Sequence, residues 1–386
     1  MPIAFDASRF SRRSWCAAAV YDTVRPTLRA MAAAALIVAA AACGDTATGP
    51  GQAMTTGVIA DEVDHVMLPN IDSLANRGVR LATHIDAFAA APTPAGLAAA
   101  QADWKATRAS YEYGEAFSFG PIETDGIDPA VDTWPVDIAG IGALIAGPDS
   151  LTPSFIDGLP VTLKGFHAVE LMLFGVPGAP ALASGFTARQ LEYLVAAGQD
   201  LSNELSALRT AWSPSGGNFA GQVLNAGHGP SAYSSQSAVM QDIVTQMATQ
   251  PAQFIYKIAQ PLATDSSIYE ESRFSDNTLA DIESNLAGTA ALYYGDPSSG
   301  SNRGLGEIIA ADDPALDQTV RAQFAEAAAA MAKITPSFDV ALHADPAALQ
   351  VAAQASLNLQ KTMINLVAPL LGVGHAGPLG GQPDND

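Results

Sequence analysis

The chain has 386 residues, 48% of them apolar and 15% charged, which is enough for two ordinary domains and too apolar for bulk disorder. Acidic side chains outnumber basic ones 39 to 18, a formal charge of −21, and this excludes nucleic acid as a partner class, because phosphate contacts need clustered Lys and Arg. A cation is the more natural guest, while two cysteines, Cys16 and Cys43, are too few for a disulfide framework or a cysteine-based zinc site.

At the amino terminus, Arg9, Arg12, Arg13, Arg25 and Arg29 precede an apolar run from Met31 to Ala42. The run is too short to span a bilayer as a mature helix and reads as the core of a signal peptide. It ends at Cys43, and Val38-Ala-Ala-Ala-Ala-Cys43 resembles a bacterial lipobox, with Ala40 where leucine is usual. Residues 1–42 are therefore expected to be a lipoprotein signal peptide, with Cys43 acylated as the first mature residue. An ordinary signal peptide cut at an Ala-x-Ala site is the alternative. Removing 1–42 discards five arginines and two aspartates and moves the charge from −21 to −24. The expected product is lipid-anchored on the periplasmic side of the cell envelope, behind a flexible tether at 43–57.

Apolar residues then recur at helical spacing. Val58, Val63, Val66, Ile71, Leu74 and Leu81 predict one long helix, loosened near Pro69. A second opens at Thr93, a candidate N-cap, and runs through Trp104, Tyr111 and Phe117, three residues expected in the core. Residues 118–160 are rich in Gly, Pro and Asp without periodicity and read as a long irregular loop, a feature that is usually functional. A third helix covers about Leu163 to Phe174, and a fourth runs from Thr187 to about Trp212. Gly/Pro/Ser-rich residues 214–230 read as a linker, followed by helices near 231–262, 276–294, 304–334 and 346–370. Strand-like alternation is absent. The expected fold is all-α, with two helical-bundle domains side by side, 58–213 and 231–371, and a disordered tail at 372–386.

The sharpest chemical signal is Gly165-Phe-His167-Ala-Val-Glu170. Positions three apart share a helix face, so His167 and Glu170 can offer a nitrogen and an oxygen to one cation, and Gly165 permits a close approach. The bland alternative is a buried histidine held by its glutamate. Upstream, Trp104, Arg108, Tyr111 and Glu115 lie at helical spacing before Phe119-Gly120-Pro121, and Asp132-Thr-Trp134-Pro135-Val-Asp137 follows in the loop. Downstream come Lys257-Ile-Ala-Gln-Pro261, Glu271-Ser-Arg273-Phe274-Ser275, Asp281, Asn285 with Gly288, and Tyr294-Gly295. In this order the segments resemble the imelysin family, also called insulin-cleaving membrane protease-like or peptidase M75 proteins, over nearly all of residues 58–370.

The resemblance implies an exported two-domain helical protein linked to bacterial iron uptake, with its site at the domain interface. Carried over by motif, His167 and Glu170 are the lead ligands, Glu115 is the third, and Asp137 would supply a carboxylate from the loop. Gly165, Arg108 and Trp134 would shape the site, with Arg273, Ser275 and Asp281 reaching it from the second domain. Arg273 is expected to orient a carboxylate, and Glu112 is read as solvated surface. The expected ligand is iron or another divalent or trivalent cation, free or as a chelate or haem, passed to membrane iron-transport components. His167-x-x-Glu170 is not an HExxH zinc-peptidase motif, and one histidine among carboxylates suits a harder cation than catalytic zinc. An M75-type metallopeptidase and a metal-free interaction module remain the alternatives.

Overall fold

The computed structural model describes residues 52–264, 266–300 and 303–374. The expected signal peptide at 1–42, the lipidation cysteine Cys43, most of the tether and residues 375–386 of the tail lie outside the described residues. Helix starts earlier than expected, because α1 (Gln52–Glu62) extends back from the buried Val58 and Ile59 and takes residues 52–57 from the tether.

A π-turn at Val63–Met67 joins α1 to α2 (Leu68–Ala90) without a break. It ends two residues before Pro69, and a second π-turn, Met363–Val367, stands two residues before Pro369. Proline has no N–H, and its ring meets the carbonyl four residues back; the wider turn moves that carbonyl aside. Then α3 (Pro94–Gly114) begins at Thr93, whose hydroxyl accepts from the Gly96 N–H, and ends in a 3₁₀ turn at Glu115–Phe117.

Residues 118–160 are not an irregular loop. They carry α4 (Pro121–Thr124), α5 (Ile127–Asp132), α6 (Ile138–Ala146) and α7 (Pro153–Asp157), each too short for a period to register. Next, α8 (Gly165–Phe174) runs into a small antiparallel hairpin, β1 (Gly175–Val176) with β2 (Ala179–Pro180), and α9 (Ala188–Trp212) opens on a capping box of Thr187 and Gln190. The 214–230 stretch holds α10 (Phe219–Leu224) and buries Phe219, Ala220, Val223 and Ala226, with the Phe219 ring 4.9 Å from that of Trp212.

The carboxyl half contains α11 (Gln236–Thr264), α12 (Thr278–Tyr294), α13 (Leu305–Asp312), α14 (Pro314–Met331), α15 (Phe338–Ala344), α16 (Pro346–Thr362) and α17 (Ala368–Leu370). The single helix expected over 304–334 splits at Asp313, whose carboxylate accepts from the Ala315 and Leu316 N–H groups beside Pro314.

Packing follows the apolar faces. Helix α2 lies on α3 and α9, and α8 on the same two, whereas α11 lies on α16 and α12, and α14 on α16. The two sets meet where α12 runs along α3 and the 115–117 turn rests on α11. Buried apolar residues from Val58 to Val373 form one cluster. The all-α class is borne out, the hairpin apart. No helix among the described residues is long and apolar enough to cross a membrane.

Candidate functional site

Gly165 opens α8 at φ +79°, and a Cβ there would sit 2.4 Å from the Val131 carbonyl oxygen. Only glycine fits both constraints, and the close approach sets α8 against the end of α5. His167, 1% exposed, thereby faces Asp132: its Nε2 lies 3.3 Å from Asp132 Oδ1, an ion pair that falls short of hydrogen-bond geometry. Its Nδ1 is 2.9 Å from Glu170 Oε2. The other Glu170 oxygen accepts from the Phe274 N–H at 3.0 Å, the Ser275 N–H at 2.8 Å and the Ser275 hydroxyl at 2.7 Å. Glu170, expected as a lead ligand, is thus fully engaged by hydrogen bonds and does not join the groups of candidate metal ligands. It fixes the imidazole so that Nε2 points at carboxylates, which is the way metal-ligating histidines are usually oriented.

Around that imidazole lies a buried charge network spanning both helix sets. The fully buried Arg108 of α3 pairs with Asp132 and Glu112, donates to Glu271 at 2.8 Å and lies 3.6 Å from Asp281. Lys257 of α11 contacts Glu271 at 2.8 Å, Glu112 at 3.0 Å and Glu115 at 3.6 Å. Asn285 of α12 donates to the Glu112 and Glu115 carboxylates. Six carboxylates therefore face two fixed cations and one imidazole, leaving the cluster acidic.

The ionisation pattern follows from this crowding. Burial opposes charge on Asp132, but Arg108 and His167 outweigh it and hold the carboxyl at about 2. Burial also disfavours an imidazolium at His167, yet Asp132 and Glu170 on its two nitrogens push it up to about 9. Burial raises Glu115 well above the ordinary range, with Glu112 adding to it, and raises Glu271 despite Lys257. It lifts Asp281 to about 7 because Arg108 offsets it only in part. At Glu112 burial loses to Arg108 and Lys257, and the pKa falls.

A cavity of about 40 Å³ opens on the network, lined by Glu115, Asp132, Trp134, Lys257 and Glu271 among others. Glu115 and Trp134 line it, the Trp134 ring 6.3 Å from that of Tyr256, but Glu115, expected as the third ligand, is engaged by Lys257 and Asn285 and is absent from the groups of candidate metal ligands. Ser275 and Asp281 do reach the network from the carboxyl half, and Trp104, Tyr111 and Phe117 are core residues as expected.

Asp137 does not reach it. It is exposed and caps α6, its Oδ1 accepting from the Gly140 N–H at 2.8 Å, so the loop carboxylate at the site is Asp132. Arg273 pairs directly with no carboxylate among the described residues, although the Glu170 and Glu270 charges act on it; its guanidinium stacks on Phe274 at 4.7 Å, and the backbone and hydroxyl of Ser275 bond Glu170. Glu112, read as solvated, is fully buried. Sequence reasoning also passed over Asp132, Lys257 and Glu271, although all three fall inside its motif segments. A lysine in the middle of the apolar face of α11 was the available signal.

One ligand atom each from Asp132, His167 and Glu271 lie within 4.8 Å of one another. This group fits a cation, because His167 Nε2 is buried without a hydrogen bond and an imidazole with two carboxylates is a donor set for iron-like metals. A neighbouring trio, Glu112, Glu271 and Asp281, fits less well, since it has no histidine; Arg108 contacts all three, as it does Asp132 and Glu271 of the first group.

The imelysin (peptidase M75) family model matches residues 67–364, and the chain belongs to that family. It is 31% identical over 313 residues to iron-regulated protein A of Synechococcus elongatus, covering 80% of this chain and 83% of that protein. Among solved structures, a protein assigned as an iron-regulated protein A precursor from Parabacteroides distasonis superposes with a TM-score of 0.73 at 24% identity, over 82% of this chain and 95% of the other. An imelysin-like protein from Psychrobacter arcticum gives 0.68 at 17% identity, over 84% and 98%. Both share the fold.

Proposed function

We propose that this chain is an exported, lipid-anchored protein that captures an iron-class cation at Asp132, His167 and Glu271 for bacterial iron acquisition. The observation that carries this reading is the buried His167 Nε2, held by Glu170 and turned toward two carboxylates without a hydrogen bond. Kinship with a protein named iron-regulated protein A supports the iron assignment, and the lipobox-like run before Cys43 supports anchoring on the periplasmic side. The cavity beside the group, lined by Asp132 and Glu271, has room for small ligands such as water. The cation is cargo here, to be handed to membrane transport components.

Metal analysis and thermal melts of untagged protein test this. Iron or Mn²⁺ should stabilise the wild type by mass action, about 2.7 kcal/mol at a hundredfold excess over Kd. His167→Ala, Asp132→Asn and Glu271→Gln should each abolish most of that gain. Asp137→Ala should cost about 1 kcal/mol of helix capping and keep the metal response. A second reading has its own observation: Arg108 contacts four carboxylates and Lys257 three, as a metal-free pin between the helix sets requires. It predicts no metal response in the wild type. Turnover of a peptide, lost with chelator, would favour the peptidase instead.

A further inference from the structure

A second acidic group lies away from His167. Asp157 at the end of α7 and Asp200 and Glu204 on α9 bring one oxygen each within 4.8 Å of one another. Asp200 and Glu204 are four apart and share a helix face. With Ser154 and Asn203 they line an open cavity of about 570 Å³. Acidic side chains alone make no site, but Asp200 is unusual. It is 3% exposed, yet its Oδ2 accepts no hydrogen bond. The cation paired with it, Lys164 Nζ, stands off at 4.0 Å and donates instead to Asp157, at 3.0 Å to its carbonyl oxygen and at 3.5 Å to Oδ1. A buried carboxylate oxygen without a hydrogen-bond donor recovers only part of its desolvation cost from an ion pair at that distance. Burial accordingly pushes Asp200 up to about 7, and burial also raises Glu204, with Asp157 adding to the effect.

We propose that Asp157, Asp200 and Glu204 form a second cation site that takes a hard divalent ion retaining part of its water shell. Every donor is oxygen, the chemistry of Ca²⁺, Mg²⁺ and Mn²⁺ rather than of soft metals, and the open cavity leaves room for water ligands. Lys164 is the resident cation with which the ion competes. It also immediately precedes Gly165, so the site adjoins the start of the helix that carries His167.

The test uses the full chain carrying His167→Ala, so that failure of the iron reading does not confuse it. Calorimetric titration with Ca²⁺ and Mn²⁺ should show one saturable site with Kd below about 1 mM. Asp200→Asn and, separately, the half-buried Glu204→Gln should weaken binding at least about tenfold, the loss of one charged ligand, with circular dichroism unchanged. Lys164→Met should tighten binding several-fold, which a purely structural salt bridge does not predict. Absence of saturable binding by Ca²⁺, Mg²⁺ and Mn²⁺, or binding indifferent to both carboxylate substitutions, would overturn the proposal.

Discussion

A histidine and a glutamate three apart share a helix face, and periodicity alone places His167 beside Glu170. What it leaves open is whether the pair shares a cation or one residue holds the other. That choice is made by the Phe274 and Ser275 N–H groups, which belong to a segment more than a hundred residues away in the chain and saturate one Glu170 oxygen. The same limit applies to the loop carboxylate, since Asp132 and Asp137 are equivalent in sequence until short helices put one at a C-terminus beside His167 and the other at an N-cap. The arrangement has a pH signature. In the metal-free protein His167 sits at about 9, against about 6.5 for an ordinary imidazole. Its imidazolium therefore stabilises the fold fully below about 6.5, and that contribution is lost as pH rises through about 9. A cation taking Nε2 must displace this proton. Mn²⁺ affinity should thus rise about tenfold per pH unit and level off near pH 9, and Glu170→Gln should bring the plateau down by at least about one unit. Titrations between about pH 6 and 9.5 read both, and a wild-type plateau near 6.5 would contradict the carboxylate clamp on the imidazole.

At the scale of elements, the long helices were legible because their apolar faces repeat over many turns, and their caps at Thr93 and Thr187 carry the expected side-chain bonds. The short helices of 118–160 were not, since one or two turns give no measurable period. Nor does sequence show how closely two helices approach. Helix α12 passes α3 so tightly that a Cβ on Gly288 would sit 2.0 Å from the Tyr113 carbonyl oxygen, and Asn285, one turn earlier, donates to the Glu112 carbonyl at 2.8 Å. The glycine is needed for contact, not for an unusual backbone. Gly288→Ala must push α12 outward and lengthen the Asn285 bonds to Glu112 and Glu115. The expected loss is about 1–3 kcal/mol by urea denaturation, the range for overpacking a tight contact. Because Glu271 and Asp281 lie on the α12 side of the network, the rise in melting temperature proposed for bound metal should shrink as well. An unchanged metal response would mean that the site does not depend on this crossing.

For the whole molecule, the order of long segments predicts two helix groups but does not show that buried charge ties α3 to α11 and α12. Arg108 reaches from the first set to Glu271 and Asp281, and Lys257 reaches back from the second to Glu112 and Glu115. Composition hides such a pairing, because the net charge records an excess of acid and not where the few buried cations sit. Lys257→Met keeps the volume of the stem and removes the charge. It leaves Glu112, Glu115 and Glu271 facing one another with Arg108 alone, a loss of about 3–5 kcal/mol at neutral pH. Glu115 and Glu271 already have raised pKa values, so in this variant their unfolded forms ionise first as pH rises from about 4.3 and the fold weakens with it. Lowering the pH from 7 toward 5 should therefore restore part of the variant's stability. The tryptophans give a second readout. Trp104, Trp134 and Trp212 all lie before residue 213, so fluorescence of a chain starting at Cys43, which lacks Trp15, reports the first helix set while circular dichroism reports both. In the wild type the two urea transitions should coincide. In Lys257→Met they should separate, with the dichroism change no longer tracking fluorescence. If the variant lost no stability and its transitions still coincided, the apolar contacts of α3 with α12 would hold the two sets together without help from the charges.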